Sequence, residues 1–320
     1  MRDVARRTVL TAAAAAAVVA ALPGCAAPFA GTRLRLATGS EQGVYFSLGS
    51  ALAAAWHEEL GLAEPPLVLS TAGSVENVAL LAAGAADVAF SQIDAAVERL
   101  AGTSPSDPDV PRALARIYDD VLHVVVPATS PLTTVSQLRG ARVSVGAPDS
   151  GVSVVAGRVL DAAGLGAADL RAVQLGLVDS VAAMVAGDID AFFWSGGLPT
   201  PAVAELAARL PIRLLDLDHD GVLAAIRASH PVYAPGTVPA ESYGGLTTPV
   251  TTLLVRNFLL VRATMPDALA TALVRVLFSE QEAVARAGPA ALTIDPRAAI
   301  GTQPILLHPG AKRFYRDERG

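Results

Sequence analysis

Apolar positions along the chain fall into short runs separated by glycine-bearing turns, and the runs switch between the two-residue period of a strand and the three-to-four-residue period of a helix. Residues 33 to 38 (RLRLAT) alternate and predict a first strand. Over 44 to 60, Leu48, Leu52, Ala55 and Trp56 share one face and predict a helix. A second strand over 67 to 70 ends at Thr71-Ala72-Gly73-Ser74, where Ser74 is placed to cap a helix carrying Val75, Val78 and Leu81 inward. A third strand, 87 to 91, closes at Ser91-Gln92. Short units in this order give parallel strands with right-handed crossovers.

The segment 103 to 111 (TSPSDPDVP) reads as a loop, and the continuous apolar run Val121 to Val126 reads as a strand buried on both faces. Strands over 141 to 146, 171 to 175 and 189 to 194 then alternate with helices over 151 to 163 and 178 to 186, the latter with Val181, Met184 and Val185 on one face. A helix from Pro201 to Arg209 and a strand from Ile212 to Leu217 follow. The proline-bearing stretch Pro231 to Tyr243 returns the chain, Val250 to Val261 forms a last strand, and Pro266 opens a helix to about Arg286.

This order contains one plan twice. Residues 35 to 52 (RLATGSEQGVYFSLGSAL) and 143 to 160 (VSVGAPDSGVSVVAGRVL) align without a gap, pairing Gly43 with Gly151, Gly49 with Gly157 and Leu52 with Leu160. AGAADVAF at 83 to 90 is echoed by AGDIDAFF at 186 to 193, so that Gly84 and Asp87 answer Gly187 and Asp190. The expected fold is therefore α/β and two-lobed, each lobe a mostly parallel sheet flanked by helices. Residues 33–121 plus 250–320 form lobe 1 and 122–249 form lobe 2, joined by a two-strand hinge near 121 and 250 that permits closure. A cleft between such lobes is suited to catching a small molecule.

Composition narrows the function. The chain carries a net charge of −6 over 320 residues and Lys312 is its one lysine, so it lacks the basic stripe that nucleic acid requires. Arg2, Arg6 and Arg7 precede an apolar run from Val9 to Leu22 and the string Leu22-Pro23-Gly24-Cys25, a bacterial lipobox pattern. Residues 1–24 are read as a lipoprotein signal peptide, Cys25 as the lipidation site and 25–32 as a tether. The lipid would anchor the protein to the outer face of the cytoplasmic membrane. Arg6-Arg7 ahead of the run also resembles a twin-arginine export signal.

Catalytic patterns are missing from the sequence. His57, His123, His219, His230 and His308 are dispersed, and neither a nucleophile elbow nor a phosphate-binding loop occurs. Asp218-His219-Asp220 is a metal site on paper only. No enzyme activity, cofactor or metal is expected. A hydrolase built on Ser150 or Ser153 would need a nearby base. Ligand contacts are expected instead from the turns. Gly39, Ser40 and Tyr45 come from the first, Ser74 and Asn77 from the second helix start, and Gln92 from the third strand end. Ser150 and Gly151 come from the repeated turn, and Trp194 and Gly197 from the segment Trp194-Ser195-Gly196-Gly197.

The strings GVYFSLGSALA, STAGSVENVALLAAGAADVAFSQIDAA, LRGARVSVGAPDSGVSV, GDIDAFFWSGGLPTPAV and LHPGAKRFYR, in that order, resemble the TAXI group of TRAP-transporter solute receptors across most of residues 33 to 320. The resemblance implies a type II periplasmic-binding-protein fold and a monomeric, non-enzymatic receptor. Its ligand would be a small carboxylate or amino acid of the glutamate or 2-oxoglutarate kind, delivered to a TRAP permease of fused small and large subunits. A ligand-sensing subunit for a membrane histidine kinase is the alternative. Ser40, Glu41 and Gln42 stand where that family usually has small residues. A Glu41 carboxylate at the pocket would repel a dianion and favour an ammonium group, and Trp194 narrows the cleft.

Overall fold

In the computed structural model, residues 28–104 and 106–318 are described; the signal segment 1–24 and Cys25 lie outside the described residues. The first half opens with β1 (Arg35–Ala37), α1 (Val44–Leu60), β2 (Leu67–Leu69), α2 (Ser74–Ala82), β3 (Val88–Gln92) and α3 (Ile93–Leu100). A long strand, β4 (Pro111–Pro127), carries the chain across to β5 (Arg142–Ser144), α4 (Gly151–Ala162), β6 (Arg171–Val173), α5 (Leu177–Ala186) and β7 (Ala191–Gly196). Then come α6 (Pro201–Arg209), β8 (Ile212–Leu214), α7 (Val222–Ser229) and β9 (Ala234–Val238). The second long strand, β10 (Val250–Arg262), returns the chain to α8 (Asp267–Ser279), α9 (Gln281–Ala287), α10 (Pro296–Ala299) and α11 (Pro309–Asp317). Among the described residues no helix is long and apolar enough to cross a membrane.

The strands form one continuous sheet in the order β2-β1-β3-β10-β4-β7-β5-β6, with β9 added to β10 and β8 to β4. Its two outer thirds are parallel triplets with the same plan: β1 lies between β2 and β3, and β5 lies between β6 and β7. Between them β4 and β10 run antiparallel to each other, from Val121 opposite Leu254 to Pro111 opposite Arg262. Val250 to Leu254 of β10 pair with β9, whereas Asn257 to Val261 pair with β3. The change of partner coincides with a register irregularity between Arg256 and Phe258. The chain therefore crosses twice between the triplets, on adjacent strands.

Helices cover both faces. Leu48, Leu52, Trp56 and Leu60 of α1 pack with Leu269, Leu273 and Leu277 of α8 and with Phe314 and Tyr315 of α11. Val155, Ala156 and Val159 of α4 pack against Phe193 and Ile226. The repeat extends to a matched ion pair: Arg35 donates from its backbone N–H and guanidinium to Asp87 and reaches the Gly84 carbonyl, and Arg142 does the same with Asp190 and Gly187.

Several local expectations change. Gly73, not Ser74, is the N-cap of α2, because the turn needs φ of +131°, which glycine alone adopts without strain; Ser74 is the first helical residue and its side chain is freed from capping. Pro266 is the N-cap of α8 rather than its first residue, and the expected long helix breaks at Glu280 into α8 and α9. On α5 the inward face is Leu177, Ser180 and Met184, while Val185 is exposed. The strand expected at Val121 begins ten residues earlier, at Pro111.

Candidate functional site

The starts of α1, α2, α4 and α5 meet around one cavity of about 140 Å³, placed where the two parallel triplets face each other across β4 and β10. Each is reached through a residue that brings the backbone close: Gly43 before α1, Gly73 before α2, Ser150 before α4 and Gly176 before α5. Gly43 and Gly176 supply no side-chain cap, so the first-turn N–H groups of α1 and α5 have no acceptor from the cap residue. Four positive dipole ends turned toward one small space attract negative charge.

The first half contributes side chains. The hydroxyl of Tyr45 lies 3.3 Å from the Ser74 hydroxyl and donates to the Asn257 side-chain oxygen. Ser74 Oγ accepts from the Gln92 backbone N–H at 3.1 Å. Gln92 Nε2 then donates to Asp120 Oδ2 at 2.6 Å and to Ser195 Oγ at 2.8 Å, linking the end of β3 to β4 and β7. Gln92 is also the residue before α3 but makes no side-chain cap there. Asp120, on β4, is pushed up to about 7 chiefly by burial; hydrogen bonds from Gln92 and Asn257 oppose the shift, while Asp119 and Asp94 add to it. Tyr118 reaches the cavity from the same strand. Burial pushes both phenols, Tyr45 and Tyr118, well above the ordinary tyrosine range.

The second half contributes mostly backbone and a wall. Ser150 Oγ donates to the Ala147 carbonyl at 2.7 Å and accepts from the Ser153 N–H, and Ser153 Oγ donates to the Ser150 carbonyl. Both hydroxyls are thus occupied by their own turn, and the hydrolase option finds no base among their hydrogen-bond partners. Trp194 closes one side. Its Nε1–H donates to Thr200 Oγ1 at 3.0 Å, the Thr200 N–H donates to the Tyr243 hydroxyl, and that hydroxyl pairs with His123 Nε2 at 2.9 Å. Burial lowers His123 to about 4, so the ring is neutral and holds Tyr243 in place.

The halves touch around the cavity. The Glu76 N–H on α2 donates to the Asp149 carbonyl at 3.1 Å, and Gly73 and Gly151 are in close approach. A side-chain Cβ at Gly151 would stand 1.9 Å from Gln92 Oε1 and 2.9 Å from Ser74 Oγ. Between α3 and α4, Arg158 is paired with Glu98 and donates to the Tyr233 hydroxyl, which donates to Asp94 at 2.7 Å.

Of the residues singled out in the sequence, Gly39, Ser40, Tyr45, Ser74, Gln92, Ser150, Gly151 and Trp194 line the cavity. Asn77 does not. It is fully buried and donates to the Thr38 and Phe90 carbonyls while accepting from Thr71, which ties the ends of β1 and β3 together. Gly197 lies at the rim against Val44 and Ala290, and its place in the lining is taken by Ser195 and Gly196. Glu41 is exposed and outside the lining; the acid that faces the cavity is Asp120. Asp120, Tyr118 and Asn257 were missed because a strand was not expected to start before Val121, and β10 was read only as a return strand. The signal was present in Asp119-Asp120, an acid pair directly ahead of the apolar run from Val121.

The chain has the type II periplasmic-binding-protein fold, a central sheet flanked by helices. One structure sharing it is PhnD1 from Prochlorococcus marinus in complex with methylphosphonate, at 11% identity over 81% of this chain and 89% of that one, with a TM-score of 0.55. A Xanthomonas citri protein bound to chloride ion matches at 17% identity, 89% and 99% coverage and a TM-score of 0.51. The periplasmic aliphatic sulphonate binding protein SsuA from Escherichia coli aligns at 18% identity over 90% and 84%, with a TM-score of 0.48. From residue 36 to residue 320 the sequence matches the NMT1-like family, and the chain belongs to that family.

Proposed function

We propose that this protein is an extracytoplasmic solute receptor that holds a small molecule bearing an acid group between two lobes and passes it to a membrane permease. The observation that carries the reading is the meeting of four helix starts, two from each half, on one small cavity with the halves in contact around it. Backbone N–H groups and dipole ends bind an acid group without needing a cation, and they are brought together only when the halves close. The lobes are 33–121 plus 250–320 and 122–249, hinged on β4 and β10. Lipidation at Cys25 keeps the receptor on the outer face of the cytoplasmic membrane as a monomer. No chemical step is assigned to it. A TRAP permease is the proposed recipient, on the strength of the motif resemblance; an ABC-type permease is the other recipient compatible with the family and fold. A permease gene beside this one, of either type, separates transport from sensing through a histidine kinase.

The test is thermal unfolding of the full chain against a panel of small carboxylic and amino acids. A ligand at a hundred times its dissociation constant stabilises the folded state by about 3 kcal/mol. A panel without a single stabilising compound would sink the reading.

A further inference from the structure

Within the receptor reading just proposed, we infer that the ligand is a small zwitterion whose protonated amine sits on the Asp120 carboxylate and whose single acid group lies at the helix starts, and that dicarboxylates are rejected. Three observations lead there. Asp120 lines the cavity at 3% exposure, and the groups that act on it are two amides, the Ser195 hydroxyl and two other carboxylates, none of them cationic. A buried carboxylate without a counter-ion is costly, and a bound cation removes the cost. Among the described residues, the lining holds no lysine, arginine or histidine, so a second acid group on a ligand would meet Asp120 and find no opposite charge.

The second observation is that two buried polar atoms of the same lining lack partners: Gln92 Oε1, in a residue 3% exposed, and the Tyr118 hydroxyl, in a residue 4% exposed. Gln92 commits its Nε2 to Asp120 and Ser195, which leaves the oxygen as an acceptor. An ammonium has three donors and no acceptor. Asp120 and Gln92 Oε1 take such donors, with the Tyr118 oxygen available as another acceptor, whereas a ligand acid group has no donor to give Gln92. The third is size, since a cavity of about 140 Å³ is comparable with one that holds a molecule of roughly six heavy atoms, the size of alanine. The raised proton affinity of Asp120 fits an acid whose partner arrives with the ligand.

Calorimetric titration of the full chain at pH 7.5 distinguishes the parts, with alanine, serine and β-alanine as zwitterions, ethanolamine as an amine without an acid, propionate as an acid without an amine, and glutamate and 2-oxoglutarate as diacids. The zwitterions are expected to bind, ethanolamine and propionate to bind at least about 10-fold more weakly, and the diacids not to register. Asp120→Asn should weaken the zwitterions by roughly 30-fold or more, the cost of removing one partner of a desolvated charge pair, and should not weaken propionate, which then no longer shares the cavity with a second negative charge. Diacids or propionate binding more tightly than the zwitterions overturns the inference and leaves the receptor intact. Ethanolamine equal to alanine overturns the acid seat, an unaffected Asp120→Asn overturns the amine seat, and silence from the whole panel overturns receptor and inference together. If Asp120→Asn does not fold, the wild-type protein decides. The charged and titratable groups packed around Asp120 are Asp119 and Tyr118 of β4, Tyr45 of α1 and Asp94 of α3, and none of these can replace it as the amine's seat, since Asp119 is paired with Arg116 and Asp94 with Tyr233. Zwitterion affinity should then fall as pH drops below about 7, with proton release on binding near pH 6; a flat profile with no released proton refutes the seat.

Discussion

In the first half of the chain Gly49 lets α1 lie directly on the sheet: a Cβ there would stand 2.5 Å from the Thr38 methyl and 3.3 Å from both Leu36 and Phe90. Its partner in the repeat, Gly157 of α4, has nothing within 4 Å and faces solvent. The next pair reverses the order of need. A Cβ at Gly43 meets the Ser40 carbonyl at 3.0 Å, whereas one at Gly151 drives into Gln92 and Ser74. The same glycines at the same spacing thus serve helix packing in one half and closure of the cavity in the other. The comparison teaches that an internal repeat preserves the scaffold, strand to turn to helix start, while the contacts each position makes are set by what the other half brings to it.

The sharpest way to break the comparison is to add one methyl at each packing glycine. Gly49→Ala should destabilise the fold by about 2 kcal/mol, because the buried Thr38 and Phe90 have little room to give. Gly157→Ala should stabilise it by up to about 1 kcal/mol, since an exposed mid-helix glycine costs backbone entropy that alanine does not. Urea unfolding of the two variants reads both signs, and equal effects would mean the halves use the position alike.

A smaller difference is expected at the matched ion pairs. Asp87 has a side chain 19% exposed and Asp190 one 36% exposed, while each accepts from its arginine's backbone N–H and guanidinium. Asp87→Ala should therefore cost about 2 kcal/mol and Asp190→Ala about 1 kcal/mol, with solvent screening weakening the second. The same unfolding measurement, repeated in high salt, should lower the Asp190 cost more than the Asp87 cost and so widen the gap between them.

Much of the scaffold is legible in the sequence. The apolar spacing of Leu48, Leu52 and Trp56 places α1 at Val44–Leu60, and α6 at Pro201–Arg209 follows from Pro201 as a first-turn residue. Glycine turns locate most of the cavity lining for the same reason: a helix start can face a ligand only where the backbone comes close. What stayed hidden depends on contacts distant in sequence. Asn77 sits on a helix start like a ligand residue, yet β1 and β3 both place carbonyls beside it and turn it into a strut. Asp120 lies within a strand whose first part looks polar, Arg112 and Arg116 alternating with buried residues, so a run-based reading began the strand too late. The short helices α3 and α7 went unread between stronger signals.

The two halves also meet on β4 through a pair of buried groups that oppose each other in acid. Asp120 leans on Gln92 and Asn257 of the first half's network, and His123, three residues on, leans on Tyr243 and Thr200 beside the Trp194 wall. His123 titrates near 4 in the fold against 6.5 when unfolded, so its contribution to stability is complete above pH 6.5 and is lost as pH falls through about 4. Asp120 titrates near 7 against 3.8, so its contribution is complete below pH 3.8 and is lost as pH rises through about 7. Between these limits each changes stability by roughly 1 kcal/mol per pH unit, in opposite directions. Wild-type stability should gain on His123→Asn as pH rises from 4 to 6.5 and lose ground to Asp120→Asn over the same range. Slopes of the same sign would show that the two strand neighbours do not belong to separately buried networks.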